Sequence, residues 1–257
     1  MTRQSLLRGR ALLPVWALVF ASAPWPACGS LFAADDVLAR CRATYAALRS
    51  YADTGTVVTE LGLSGAPTLK ETHTFTTYYR GPRYYYFEFN KDKTAGGDRF
   101  VIWGDETALH TWWKTTGVEE TYPPGKGAGA FAQAEYVTKG SASQIAPLLF
   151  SKAGLQGTLA NLVDATVEGT EEVGGRRCHR LTGVSRDLYP ATGREVRVRR
   201  TTIWIDAETL LVRSVLEDTP RDTPAGTILR VTTTFEPQAN PTIEDARFRF
   251  AVPNSRK

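Results

Sequence analysis

From Tyr51 onward the apolar residues recur at every second position in run after run, a period that commits the chain to strands rather than helices. The spacing predicts strands over Tyr51 to Glu60, Leu69 to Tyr79, Arg83 to Asn90, Arg99 to Trp103, Leu109 to Lys114 and Val118 to Tyr122. Turn formers such as Gly81-Pro82, Gly96-Gly97 and Gly104-Asp105 divide them. After Pro123-Pro124-Gly125 the alternation lapses, and two short helices are expected, Phe131 to Thr138 and Ser141 to Ser151. It then resumes over Leu162 to Glu168, Arg176 to Gly183, Val196 to Ile205, Leu210 to Asp218 and Thr227 to Phe235, with a terminal apolar stub at Ala246 to Phe250. The clearest local structure is Thr202 to Val212, a tight hairpin in which Asp206 and Thr209 can close the turn.

Connections this short join neighbouring antiparallel strands, and no βαβ alternation is present. About eleven twisted strands do not make a flat open sheet. The expected fold is therefore mainly β (α+β): a curled antiparallel sheet forming an unclosed half-barrel. An N-terminal helix to about Arg49, with Asp35 or Asp36 as its cap and Leu38, Cys41, Tyr45 and Leu48 on one face, and the central helices should lie over its concave side.

The first 34 residues read differently. Arg3, Arg8 and Arg10 precede the apolar run Ala11 to Ala23, small residues follow, and no acid occurs before Asp35, which is the layout of a secretory signal. The expected organisation is residues 1–34 as signal peptide and 35–257 as one domain. Cleavage followed by release into the periplasm and lipid anchoring at Cys28 to the outer membrane are both open. The signal takes three of the 31 basic residues and none of the 27 acidic ones, leaving 28 against 27. The net charge of +4 is thus largely a property of the signal and gives no reason to expect nucleic acid.

Little chemistry is visible. Cys178 and His179 are adjacent in a strand and point to opposite faces, so they form no dyad. His110 lies beside Trp112, and Asp92, Asp98 and Asp105 sit near turns where Asp is ordinary. No metal-ligand spacing or cofactor motif is present, and no enzymatic activity is expected. Arg194, Arg197, Arg199 and Arg200 read as a solvated strand edge or an anionic-surface contact. Cys41 and Cys178 are either a disulfide or two buried thiols.

The helix followed by Tyr51-Ala52-Asp53-Thr54-Gly55, the strand-turn-strand Tyr78 to Phe87, the Trp204-Ile205-Asp206 hairpin and the stretch Ala246 to Pro253 occur in an order that resembles the LolA/LolB-like superfamily of periplasmic lipoprotein carriers. The resemblance implies a lidded half-barrel, monomeric, holding lipid or lipoprotein acyl chains, with peripheral membrane contact and a role in outer-membrane lipoprotein sorting. An envelope interaction or stress-sensor domain that recognises a protein partner is the alternative. The aromatic and apolar residues expected around such a cavity are Tyr85, Phe87, Phe89, Trp103, Trp112, Leu148, Leu149 and Trp204. In the best-known carriers an Arg directly before the Pro of the second turn contacts the lid. Here Gly81 holds that place and Arg80 stands one position earlier, where a strand would turn it the other way.

Overall fold

A computed structural model describes residues 33–63, 66–91, 97–104, 107–138, 140, 144–153, 155, 157–188, 195–220 and 228–253. Two antiparallel meanders share one sheet. The first runs β1 (Ser50–Leu63), β2 (Ala66–Arg80), β3 (Tyr84–Asn90), β4 (Arg99–Gly104), β5 (Leu109–Trp113) and β6 (Val118–Tyr122). The second runs β7 (Leu162–Val173), β8 (Arg176–Leu188), β9 (Glu195–Asp206), β10 (Val212–Pro220) and β11 (Ile228–Phe235). They join where β1 pairs with β11, so the order is β6-β5-β4-β3-β2-β1-β11-β10-β9-β8-β7. β12 (Gln238–Ala239) adds two residues alongside the start of β1. β6 and β7 end this order without pairing to each other, which leaves the half-barrel unclosed, as expected from the sequence.

Strand parity sorts the side chains into two cores. One face presents Tyr51, Val57, Phe75, Tyr79, Tyr85, Phe87, Phe89, Phe100, Ile102, Leu181, Ile203, Ile205, Val215, Val231 and Phe235, all buried beneath helices. Phe75 packs directly over Gly55, its cross-strand neighbour; a Cβ there would stand 2.3 Å from the ring, so no larger residue fits. The opposite face carries a smaller core of Ala52, Tyr86, Val101 and Trp112, covered by Ile243 and Phe248 of the C-terminal tail.

The helices are α1 (Ala34–Ala47), α2 (Ala128–Thr138) and α3 (Ala146–Leu149). α1 begins one residue before the Asp pair, with Ala33 at the N-cap and no side-chain cap. Asp35 and Asp36 instead occupy the first turn, where the carboxylates meet the positive end of the helix dipole. α3 is far shorter than the predicted Ser141 to Ser151, because Pro147 is tolerated only in a first turn and so fixes the helix start beside it. The predicted C-terminal stub is a 3-10 turn, Asp245–Phe248, laid across the outer face.

The 202–212 hairpin closes as its residues suggest. Asp206 Oδ1 accepts from the N–H groups of Glu208 and Thr209 at 3.0 Å each, the Leu211 N–H reaches Thr209 Oγ1, and Arg213 donates to Asp206 Oδ2. Burial pushes the Asp206 carboxyl up, but these backbone donors and the Arg213 guanidinium outweigh it and hold it below the usual range.

Candidate functional site

The central helices reach the first meander through four rings. Phe131 of α2 and Phe150, just past α3, stack at 5.3 Å; Tyr85 meets both, at 5.3 and 5.4 Å, and Tyr79 meets Phe150 at 5.2 Å. Tyr79 and Tyr85 face each other across β2 and β3, so one rung of the sheet receives both helical aromatics. Phe131 and Phe150 are only half-buried, which brings this cluster to the rim of the protein. Val137, Ile145, Leu148 and Leu149 extend the same cover inward, each at most 5% exposed. Much of the inner face is therefore covered by the chain's own helices.

Two polar groups interrupt this apolar interior. Asp53 is buried on β1, accepting from Tyr51 Oη at 2.7 Å. Burial raises its pKa to about 6, opposed by hydrogen bonds from Thr77 and Tyr51. Tyr45 of α1 stacks on Tyr51 at 5.5 Å, and its hydroxyl accepts from the Val212 N–H, so α1 is tied to the same spot. The second group is the ion pair of Arg199 and Glu217 at 3.0 Å, each side chain 3% exposed. Gln144, before α3, and Thr158, beyond it, both donate to Glu217.

A cavity of about 450 Å³ opens beside α2, lined by Thr59, Glu71, Thr72, His73, Phe89, Lys91, Val137 and Thr138. His73 contacts the Lys91 carbonyl through Nδ1 at 2.6 Å and lies 3.4 Å from Glu71 through Nε2. The cavity is thus apolar toward Phe89 and Val137 and polar elsewhere.

The predicted site residues divide between the faces. Tyr85, Phe87, Phe89, Leu148 and Leu149 lie together beneath the helices. Trp103 and Trp112 lie on the opposite face against Phe250, at 5.0 and 5.5 Å, and Trp204 is also outward, donating to Glu171. The reason is parity: Ile102 and Ile203 face the helices, so their neighbours Trp103 and Trp204 cannot. Arg80 likewise faces away from the helices. It pairs with Asp245 at 2.7 Å, donates to the Ile243 carbonyl and stacks over Tyr84 and Phe248, and Tyr79 takes the contact with the helical cover instead.

One further expectation is corrected, the solvated strand edge of the basic run, and the choice left open at the two cysteines is settled. Cys41 and Cys178 are free thiols, the first beneath α1 in the main core and the second outward beside Asp206, so the sheet separates them. β9 is an interior strand between β8 and β10, and Arg199 is buried, so the basic run there is no solvated edge; Arg194 lies outside the described residues, as do Asp92, Asp105, Cys28 and the signal segment up to residue 32. Asp98 is a structural acceptor, taking Trp113 Nε1 at 2.8 Å and pairing with Lys91. His110 stacks on Trp103 and meets Thr121 on the outer face. Among the described residues no group of three or more His, Cys, Asp and Glu side chains is placed to hold a metal ion, and no helix is long and apolar enough to cross a membrane.

Of the buried Arg199, Glu217, Gln144 and Thr158, the last three carry no site signal in the sequence, and the basic run around Arg199 reads as a solvated edge. Three of the four are polar residues in the weakly patterned insert or a basic run, and only Glu217, alternating with Val215 on a buried face, left a trace of its burial.

No curated protein matches this chain. Among solved structures it is similar to LprF from Mycobacterium bovis, with 14% identity over 86% of this chain and 96% of that one and a TM-score of 0.42. It is similar to the lipoprotein LppX of Mycobacterium tuberculosis at 13% identity, 82% and 98% coverage and a TM-score of 0.40. A LolA superfamily protein from Nitrosomonas europaea is similar at 6% identity, 85% and 98% coverage and a TM-score of 0.34. From the turn before α2 to the residue after β11, residues 127–236, the chain matches the LppX_LprAFG lipoprotein family.

Proposed function

We propose that this protein is a non-enzymatic carrier or binding protein of the periplasm, exported by its N-terminal signal, which takes the acyl chain of a lipid or lipoprotein into the half-barrel by exchanging it for the α2–α3 cover. The carrying observation is the cover itself: two short helices joined to the sheet by a half-buried aromatic cluster, in the position where an apolar ligand would lie. Tyr85, Phe87, Phe89, Leu148 and Leu149 would line the loaded cavity. The match of residues 127–236 to a lipoprotein family supports the same reading.

The exchange is energetically balanced. Lifting the cover re-exposes Val137, Ile145, Leu148 and Leu149, and at about 2 kcal/mol each that forfeits roughly 8 kcal/mol. An entering chain returns about 0.8 kcal/mol per methylene, so roughly ten carbons restore the balance. Ligands much shorter should not open the protein.

A displacement series with fluorescent fatty-acid and lipopeptide probes of increasing length tests this. Affinity should be negligible below about ten carbons and rise steeply beyond. Native mass spectrometry of periplasmic protein should show copurified acyl species. A folded sample that binds no chain of any length, yet copurifies with an envelope protein, would replace the carrier reading by the protein-recognition one.

A further inference from the structure

We propose that Glu217 is the latch that holds the cover closed, an inference that rests on the exchange reading above. Its carboxylate accepts from Gln144 Nε2 at 3.2 Å, on the N-terminal side of α3, and from Thr158 Oγ1 at 2.7 Å, on its C-terminal side. One buried acceptor on the wall therefore holds both ends of the segment that supplies Leu148, Leu149 and Phe150 to the interior. Arg199, across from Glu217, fixes the carboxylate from below at 3.0 Å and belongs to the wall, so it stays when the cover leaves. Gly140, between α2 and α3, lies close to the same guanidinium with φ at +81°; a Cβ there would stand 3.4 Å from Arg199 Nη1, and a side chain would in addition be strained by the left-handed backbone.

The chemistry suits a latch better than a structural pin. Hydrogen bonds to a carboxylate in a dry interior are strong while water is excluded. Once α3 tilts and water reaches Glu217, both donors and acceptor are solvated and the bonds are worth little. The closed state is thus held by a contact that fails cooperatively when the rim opens. The Arg199–Glu217 pair stays together in the wall, so opening the cover strands no lone buried charge.

The test uses the mature protein. Thr158→Val removes one donor with little change in shape, Gln144→Met removes the other, and both leave the Arg199–Glu217 pair intact. Backbone hydrogen exchange at residues 145–150 should accelerate at least about tenfold in T158V and further in the double variant, while β9 and β10 keep their protection. T158S, which retains the hydroxyl, should restore slow exchange. Unchanged exchange at α3, or an acceleration spread equally over β9 and β10, would overturn the latch. Uptake of a long-chain fluorescent fatty acid should accelerate in parallel. Faster local exchange with no binding of that probe in any variant would leave the latch standing and overturn the carrier reading instead.

Discussion

Asp53 offers a quantitative check on the buried polar spot beneath α1. The side chain is 3% exposed, its neighbours are the hydroxyls of Tyr51 and Thr77, and no cation is among the causes of its shift. Burial raises its pKa from 3.8 to about 6. The folded state therefore holds a proton that the unfolded chain releases near pH 4. The stabilisation is fully present below about pH 4 and is lost as pH rises through about 6. A rise of about two units corresponds to about 3 kcal/mol. Other carboxyls move the opposite way, Asp206 and Asp98 among them, so the wild-type profile alone does not isolate the effect. The comparison with Asp53→Asn does, because Asn is neutral at every pH. Urea unfolding of both proteins at pH 4 and pH 7.5 should show D53N gaining on the wild type by about 3 kcal/mol between the two. Tyr51→Phe, which removes a donor to the carboxylate, should move the window to higher pH. A difference between D53N and wild type that does not change with pH would refute the placement of Asp53 in a dry interior.

Other perturbations separate the two faces. Phe150→Ala removes two ring contacts between cover and sheet and one within the cover, and should cost about 2 kcal/mol in stability, less than a fully buried Phe, read by urea denaturation with an unchanged slope. Phe248→Ala should loosen the C-terminal tail, cost about 3 kcal/mol and red-shift tryptophan emission as Trp112 gains solvent, while leaving probe binding intact; a loss of binding would place the ligand on the wrong side of the sheet. Cys41, its thiol pushed up to about 12 by burial, should resist neutral alkylation until the protein is denatured, as read by mass spectrometry. Asp206→Ala should cost about 2 kcal/mol, since it strips two N–H groups and Arg213 of their acceptor; because the folded Asp206 is held below the usual range, that deficit should shrink as pH falls and the wild-type carboxylate is protonated.

The fold was legible because period and connection length are local properties that survive in the folded state. Each of the eleven long strands overlaps a predicted one, and the short turns dictated the antiparallel order within each meander. Which strands would close the sheet was not local: the pairing of β1 with β11 spans most of the chain and has no signature in either strand alone. The insert was read less well. Its residues are small and apolar on all sides, so α2 has little amphipathic contrast to mark its ends, and Pro147 stopped α3 from using the preceding residues.

The site was half legible for a reason rooted in the strand itself. Aromatics at Tyr84, Tyr85, Tyr86 and Phe87 occupy both faces of β3, so alternation identifies which residues travel together but not which set meets the helices. Tyr85, Phe87 and Phe89 fall beneath the cover, whereas Tyr86 joins Trp103 and Trp112 under the tail. The outer set is explained by the last residues of the chain. Phe248 packs on Tyr84, Phe250 on both Trp103 and Trp112, and Arg80, Arg99 and Arg247 lie over the rings. Among the described residues the outer aromatics are covered by the tail and the inner ones by the helices, and the exchange proposed above uses one of these two surfaces. That surface is the inner one, because the cover is joined to the wall by side chains and the tail's neighbour β12 is joined to β1 by backbone pairing.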